Sequence, residues 1–157
     1  MKAYIREPIN GFTHLGGAIL SFIGLLALVI KTTLTSPNII NIAAVIIFGI
    51  SLILLYSASA TYHLVVSSDN VIAFLRKIDH SMIFILIAGS YTPFCLVSLR
   101  DVSMWGVIPY SGYIIFSIVW ILITIGIVFN SININKYKVI SFVMYIVAGW
   151  IIILEAK

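Results

Sequence analysis

Five apolar runs, each at or near the length needed to cross a lipid bilayer, follow one another with only short polar breaks between them. A spanning helix needs about 20 mostly apolar residues. The runs are roughly 11–30, 41–65, 79–99, 110–129 and 139–154. They are continuous and do not alternate strictly, so they read as helices and not as barrel strands. The breaks between them carry Pro37 with Asn38, Ser67 to Asn70, Asp101 to Pro109, and Asn130 to Lys138. None is long enough for a separate soluble domain, and no internal repeat or low-complexity tract is visible. The sequence therefore predicts one all-α integral membrane domain of about five spans over residues 1–157.

Composition excludes the alternatives. The chain is 62% hydrophobic and 9% charged, with nine Lys and Arg and five Asp and Glu. A soluble domain carries about 25% charged residues, so this chain cannot cover a globule with polar surface. That rules out a soluble enzyme, a disordered protein and a nucleic-acid-binding domain, since the charges form no basic face that tracks phosphates. The expected partner is the lipid bilayer, with homo-oligomers possible and no soluble partner implied. The single cysteine, Cys95, cannot form an internal disulfide and reads as a small packing residue.

Lys2 and Arg6 precede the first run, as in a signal peptide. The run is too long for one, and Glu7, Pro8 and Asn10 interrupt the basic stretch. It reads as a first spanning helix. Basic residues set the orientation. Lys2, Arg6, Arg76, Lys77, Lys136 and Lys138 fall on the side of the N-terminus, against Lys31, Arg100 and Lys157 on the other. Six against three predicts a cytoplasmic N-terminus.

Ionisable groups at membrane depth are expensive and often functional. His14, His63 and His80 all lie near run ends on the N-terminal side, with Glu7, Asn10, Ser59 and Asp79 at the same level. Ser59 and His63 are four apart, as are Asn10 and His14, which puts each pair on one helical face. Imidazoles and carboxylates in a water-poor site are zinc ligands by type, and a carboxylate behind an imidazole orients it. Spacing alone does not make that site, because no two histidines share a helix. Asp79 reads equally as a cap at the start of the third helix, and Ser59 as bonded to its own helix. Gly16, Gly17, Gly24 and Gly89 read as close-packing positions. Trp105, Tyr110 and Tyr113 read as interfacial anchors, and Pro93 as a kink in the third span.

Several of these residues form a pattern in order along the chain. Glu7-Pro8-Ile9-Asn10-Gly11-Phe12-Thr13-His14 resembles the opening motif of the bacterial hemolysin III family. Ser59-Ala60-Thr61-Tyr62-His63 resembles its Ser-x-x-x-His motif, and Asp79-His80-Ser81 through Tyr91-Thr92-Pro93 its third-helix motif. The stretch from Tyr145 to Gly149-Trp150 looks like its fifth helix.

That resemblance implies membership of the superfamily of progestin and adipoQ receptors and alkaline ceramidases. Their fold is a seven-helix bundle with a cytoplasmic N-terminus, and the five runs match its first five helices. It further implies a zinc ion held by His63 and by two histidines of a seventh helix, with Asp79 and Ser59 beside it. Such a site implies hydrolysis of a lipid amide. The bacterial branch is named instead for hemolytic, pore-forming activity. The sequence departs from the pattern after the fifth run, where no His-x-x-x-His pair follows, so the resemblance implies a chain truncated at its C-terminus. Glu7, Asn10, His14 and His80 stay as further members of the polar cluster. Three functions follow as expectations: a membrane-permeabilising protein of a bacterial plasma membrane, a zinc-dependent lipid hydrolase with an incomplete site, and a non-catalytic homeostasis or receptor-like protein.

Overall fold

A computed structural model describes residues 4–103 and 107–155, and Trp105 lies outside them. The described residues form five helices in sequence order, with no strands among them. Helix α1 spans Pro8–Thr35, α2 Ile39–Leu64, α3 Asp69–Pro93, α4 Ser111–Asn133 and α5 Lys138–Trp150. Four apolar stretches are long enough to cross a membrane, the third being α3 together with the turn that follows it. The fifth is shorter. At 1.5 Å per residue, the 28 residues of α1 reach about 42 Å, beyond the roughly 30 Å hydrocarbon layer.

The helix starts have identifiable causes. Pro8 occupies the first turn of α1, where its missing N–H costs nothing. Asn38 caps α2 by accepting the Ile40 N–H at 2.8 Å. Asp69 opens α3 and complements the helix dipole. This start corrects the sequence reading. The third helix begins ten residues before Asp79, so Asp79 and His80 lie well inside α3, and Asp79 is no cap. Arg76 and Lys77 are likewise helical and not in a loop. Hydropathy marks where lipid begins, whereas the hydrogen-bond ladder extends beyond it into the polar layer.

Pro93 ends α3, because it has no N–H to return to Gly89. The chain then widens into one π-helical turn, Phe94–Ser98, closed by the Leu99 N–H on Phe94 O at 3.0 Å. The other change of winding lies at the end of α5. Its 13 residues reach only about 20 Å. The 3₁₀ segment Ile151–Glu155 has a steeper rise and adds about 10 Å. The Tyr91 hydroxyl sits at this switch. It donates to Gly149 O at 2.9 Å and accepts the Ile152 N–H at 3.2 Å.

The helices form an open row. Each packs on its neighbours in sequence, α3 also meets α5, and among the described residues α1 packs on α2 alone. The apolar core lies between α3, α4 and α5, where Phe84, Ala88 and Cys95 meet Ile115, Val119, Ile123 and Ala148. Cys95 is thus buried in the core, as its neighbourhood in the sequence implied.

Small residues set the distances between helices. Side chains added at Gly17 or Gly49 would meet Tyr56 or Leu25, and one added at Gly89 would meet Ser51. Gly126 faces the Phe84 ring, and Gly112 faces the carbonyls of Cys95 and Leu99. Gly16 and Gly24 differ from the packing expected of them, since a side chain at either meets nothing within 4 Å. Gly24 instead borders a hollow between α1 and α2, together with Gly17, Gly49 and Leu52. Tyr110, ahead of α4, holds the left-handed backbone at φ 59°, a strained position for a bulky residue. The loop is pinned next to it, where Ser111 donates both its N–H and its hydroxyl to Val102 O. Tyr110 and Tyr113 are exposed, as interfacial anchors require.

The packing makes a paired prediction. Gly112→Ala pushes a methyl into two backbone carbonyls and should cost about 1–3 kcal/mol. Gly16→Ala meets nothing and should hold or raise stability, since alanine is the better helix former. Thermal unfolding in detergent micelles separates the two, and equal effects would contradict the close contact at Gly112.

Candidate functional site

At the end of the row that holds the N-terminus, the last turn of α2 lies beside the start of α1. The Glu7 N–H donates to His63 O at 2.9 Å. This backbone tie brings the Glu7 carboxylate to His63, with Oε2 2.9 Å from Nδ1. The same oxygen accepts from the Asn10 amide at 3.0 Å. The Asn10 bond and the His63 bond, in that order, hold the Glu7 carboxyl below the usual carboxylate range.

The histidines of α1 and α2 also meet. His14 and His63 stack with ring centroids 5.5 Å apart and planes 10° from parallel. The Tyr62 ring lies tilted beside them, its centroid 4.9 Å from that of His63. Arg6 closes the cluster, with its guanidinium 4.1 Å above the Tyr62 ring and Nε 3.4 Å from Glu7 Oε1. Its buried Nε and Nη2 make no hydrogen bond, so the ring face and the carboxylate take that place.

Four residues expected at one level, Glu7, Asn10, His14 and His63, thus form one contact group. Asn10 serves Glu7, however, and is not bonded to His14 on the face they share. Ser59 is buried one turn below His63. Asp79 and His80 form a separate pair on α3, with Asp79 Oδ2 3.6 Å from His80 Nδ1. His80 Nδ1 also lies 3.0 Å from Arg76 O.

A catalytic zinc takes three protein ligands and a water. Among the described residues, no group of three or more His, Cys, Asp or Glu is arranged to hold a metal. His63 Nδ1 is taken by Glu7, which leaves Nε2 as its ligand atom, and Asp79 lies against His80, so these residues supply fewer ligands than such a site takes.

A second polar group was not read from the sequence. Asn130 near the end of α4 accepts the Ser141 hydroxyl at 2.8 Å, and the Tyr145 hydroxyl donates to His80 O at 2.9 Å. Asn130 and Tyr145 also approach within 3.5 Å. The signal was an asparagine placed at the border of an apolar run, which reads as the first loop residue until the helix is seen to continue to Asn133. At the opposite end, Arg100 was read only as an orientation marker. It reaches Asn41 Oδ1 at 2.8 Å and Leu96 O at 2.9 Å, and the Asn41 amide donates to Ser36 Oγ at 2.8 Å.

Comparison with known proteins places this arrangement. The family model described as Haemolysin-III related matches residues 2–157. The chain belongs to that family. It is 34% identical to "Hemolysin-3" of Bacillus cereus over 158 residues, which is 100% of this chain and 68% of that protein. It is 36% identical to "Hemolysin-3 homolog" of Bacillus subtilis (strain 168) over 154 residues, 98% of this chain and 68% of the relative. No solved structure matches the chain. Four apolar membrane-length helices and this family membership make it a multi-pass bacterial membrane protein. The resemblance seen in the Glu7–His14, Ser59–His63 and Asp79–Pro93 segments is therefore that of a true family member.

The Glu7–His63 contact generates a prediction. Glu7→Ala removes the acceptor shared by Asn10 and His63 and should speed hydrogen exchange at the start of α1. Glu7→Gln keeps an acceptor and should speed it less. Unchanged exchange in both variants would mean that the backbone bond alone holds the N-terminus to α2.

Proposed function

We propose that this protein permeabilises lipid bilayers as an assembly of several copies, with its N-terminus on the cytoplasmic face. The open row of helices carries this reading. Among the described residues α1 packs on α2 alone, which leaves the far side of α1 uncovered and able to receive a further helix, supplied in this reading by another copy. A single copy offers little to line a channel. The hydroxyls of Ser117 and Thr124 are bonded to carbonyls of their own helix, and that of Ser141 to Asn130. The middle of the row is filled by Phe84, Ile115, Val119 and Ile123. The names of the Bacillus relatives support the activity. Basic residues at one end, among them Arg6, Arg76, Lys77 and Lys138, support the orientation.

A zinc-dependent lipid amide hydrolase is the second reading. It is favoured by the carboxylate of Glu7 on His63 Nδ1, the arrangement that fixes an imidazole with its other nitrogen turned to a metal. It needs two further ligands. A non-catalytic homeostasis or receptor-like role is the third, with no observation that favours it.

The readings separate in two measurements. Release of a trapped dye from vesicles should rise more steeply than linearly with the protein-to-lipid ratio if copies must assemble. No release at any ratio removes the permeabilising reading. Protein purified without chelators should carry zinc that His63→Ala abolishes if the hydrolase reading holds, and metal-free wild-type protein counts against it.

A further inference from the structure

A cavity of about 350 Å³ opens between α3, α4 and α5 at the end of the row that holds the N-terminus. That volume lies within the range of small-molecule sites. Its lining is graded. On α3, Arg76 and Ile83 lie seven residues apart and both face it, and on α5 Lys138 and Phe142 face it four residues apart. These spacings keep each pair on one helical face. α3 and α5 run in the same direction, being alternate members of an up-and-down row. The cation therefore lies nearer the same end on both helices, and the apolar residue lies deeper on both. Ile134, just past the end of α4, adds an apolar side chain at the end that holds the cations, and His80, Asn130, Ser141 and Tyr145 complete the lining.

Apart from the two cations, the polar side chains of the wall are engaged within the protein, His80 through Nδ1, which lies 3.0 Å from Arg76 O. Ser141 is bonded to Asn130, and Tyr145 to His80 O. No carboxylate lines the cavity. Asp79, on the same helix as Arg76, is paired with His80. Arg76 and Lys138 thus face the opening with no anion among the lining residues. The neighbouring cations are placed elsewhere. Lys77 donates to Ser131 O at 2.9 Å, and Lys136 lies 5.4 Å from the Tyr137 ring.

We infer that this cavity binds one anionic phospholipid of the surrounding leaflet. Its phosphate lies between Arg76 and Lys138, and one acyl chain lies along Ile83 and Phe142. An amphiphile in that pose has the orientation of the bilayer lipids around it, with its headgroup at the interface and its chain toward the midplane. Basic pockets between spanning helices recognise anionic headgroups in this way. The inference does not depend on the permeabilising reading, because the cavity lies within one copy.

Native mass spectrometry of the whole chain, released from detergent containing phosphatidylglycerol or phosphatidylcholine, tests it. Wild-type protein should retain one phosphatidylglycerol saturably and no phosphatidylcholine, whose phosphate is offset by its ammonium. Arg76→Gln and Lys138→Gln should each weaken retention about tenfold. Lys136→Gln carries the same net charge as either variant and should retain lipid as wild type does. Ile83→Trp fills the apolar half, leaves both cations in place, and should also lose the lipid.

Equal loss in Lys136→Gln would mean a diffuse basic surface and overturn the site. Full retention in Ile83→Trp would mean that no chain enters the cavity. Displacement of the lipid by inorganic phosphate at equal concentration would make it a simple anion site. A wild-type dimer without lipid would mean that a second copy covers the opening. Each of these four results overturns the inference. Circular dichroism of the variants confirms the helices, and the Ile83→Trp result stands even where a charge variant fails to fold.

Discussion

In lipid, two apolar helices gain little from touching unless they fit closely, because lipid tails are as apolar as their own side chains. The contacts of this protein follow from that constraint. At position after position a helix meets its neighbour where one partner has almost no side chain. Gly17 receives Tyr56, Gly49 receives Leu25, and Gly89 faces Ser51. Gly126 receives Phe84, and Gly112 admits the backbone itself. Dispersion contacts fall away steeply with separation, so a row held in this manner tolerates small residues between helices far better than large ones. Few of the isoleucines, valines and leucines that give the chain its hydropathy are buried, among the described residues Leu99, Ile115, Val119, Ile123 and Ile134, and the others face outward wholly or in part.

Polar bonds are laid on this packing at a few fixed levels. Near the middle, the Trp120 indole reaches Thr92 Oγ1 at 3.4 Å and ties α4 to α3. The Tyr145 and Tyr91 hydroxyls tie α5 to α3 at two heights. Each bond uses a carbonyl or hydroxyl that has no water to turn to, so losing a partner there leaves a polar atom in hydrocarbon. The two ends of the row are chemically unlike. The end with Glu7, His14 and His63 gathers imidazole, carboxylate and guanidinium, while the other relies on Arg100, Asn41 and Ser36.

The architecture was largely legible in the sequence because hydropathy and length are properties of single segments. Five runs gave five helices, the last of them too short to span as α-helix alone. The errors came where a property belongs to a pair of segments. Gly16 and Gly17 look alike in the chain, yet only Gly17 has a neighbour, since only one face of α1 is covered. Asp79 stands where the apolar run begins, but α3 had already begun at Asp69, so the cap reading gave way to a pairing with His80. Spacing placed Ser59 with His63 and Asn10 with His14. It did not show that Glu7 and His63, 56 residues apart, are joined through backbone and side chain together. Depth at the run ends placed Glu7, Asn10, His14 and His63 at one level, whereas the family pattern grouped His63 with Asp79 and Ser59. Asn130 escaped notice because its partners Ser141 and Tyr145 lie on another helix.

That α1 packs on α2 alone among the described residues bears on the order in which this protein is made. Three residues, Ser36 to Asn38, join the two helices, and among the described residues the helix packing of α1 is complete once Leu64 is in place. Synthesis runs from the N-terminus, and units fold as they emerge. The first two helices can therefore settle as a hairpin in the bilayer while α3 is still being translated. Each later helix then finds a finished surface on the one before it, so assembly proceeds by accretion, without a search among distant segments. The slowest contacts to form are those of α5 with α3, which must wait for α4 to turn the chain back.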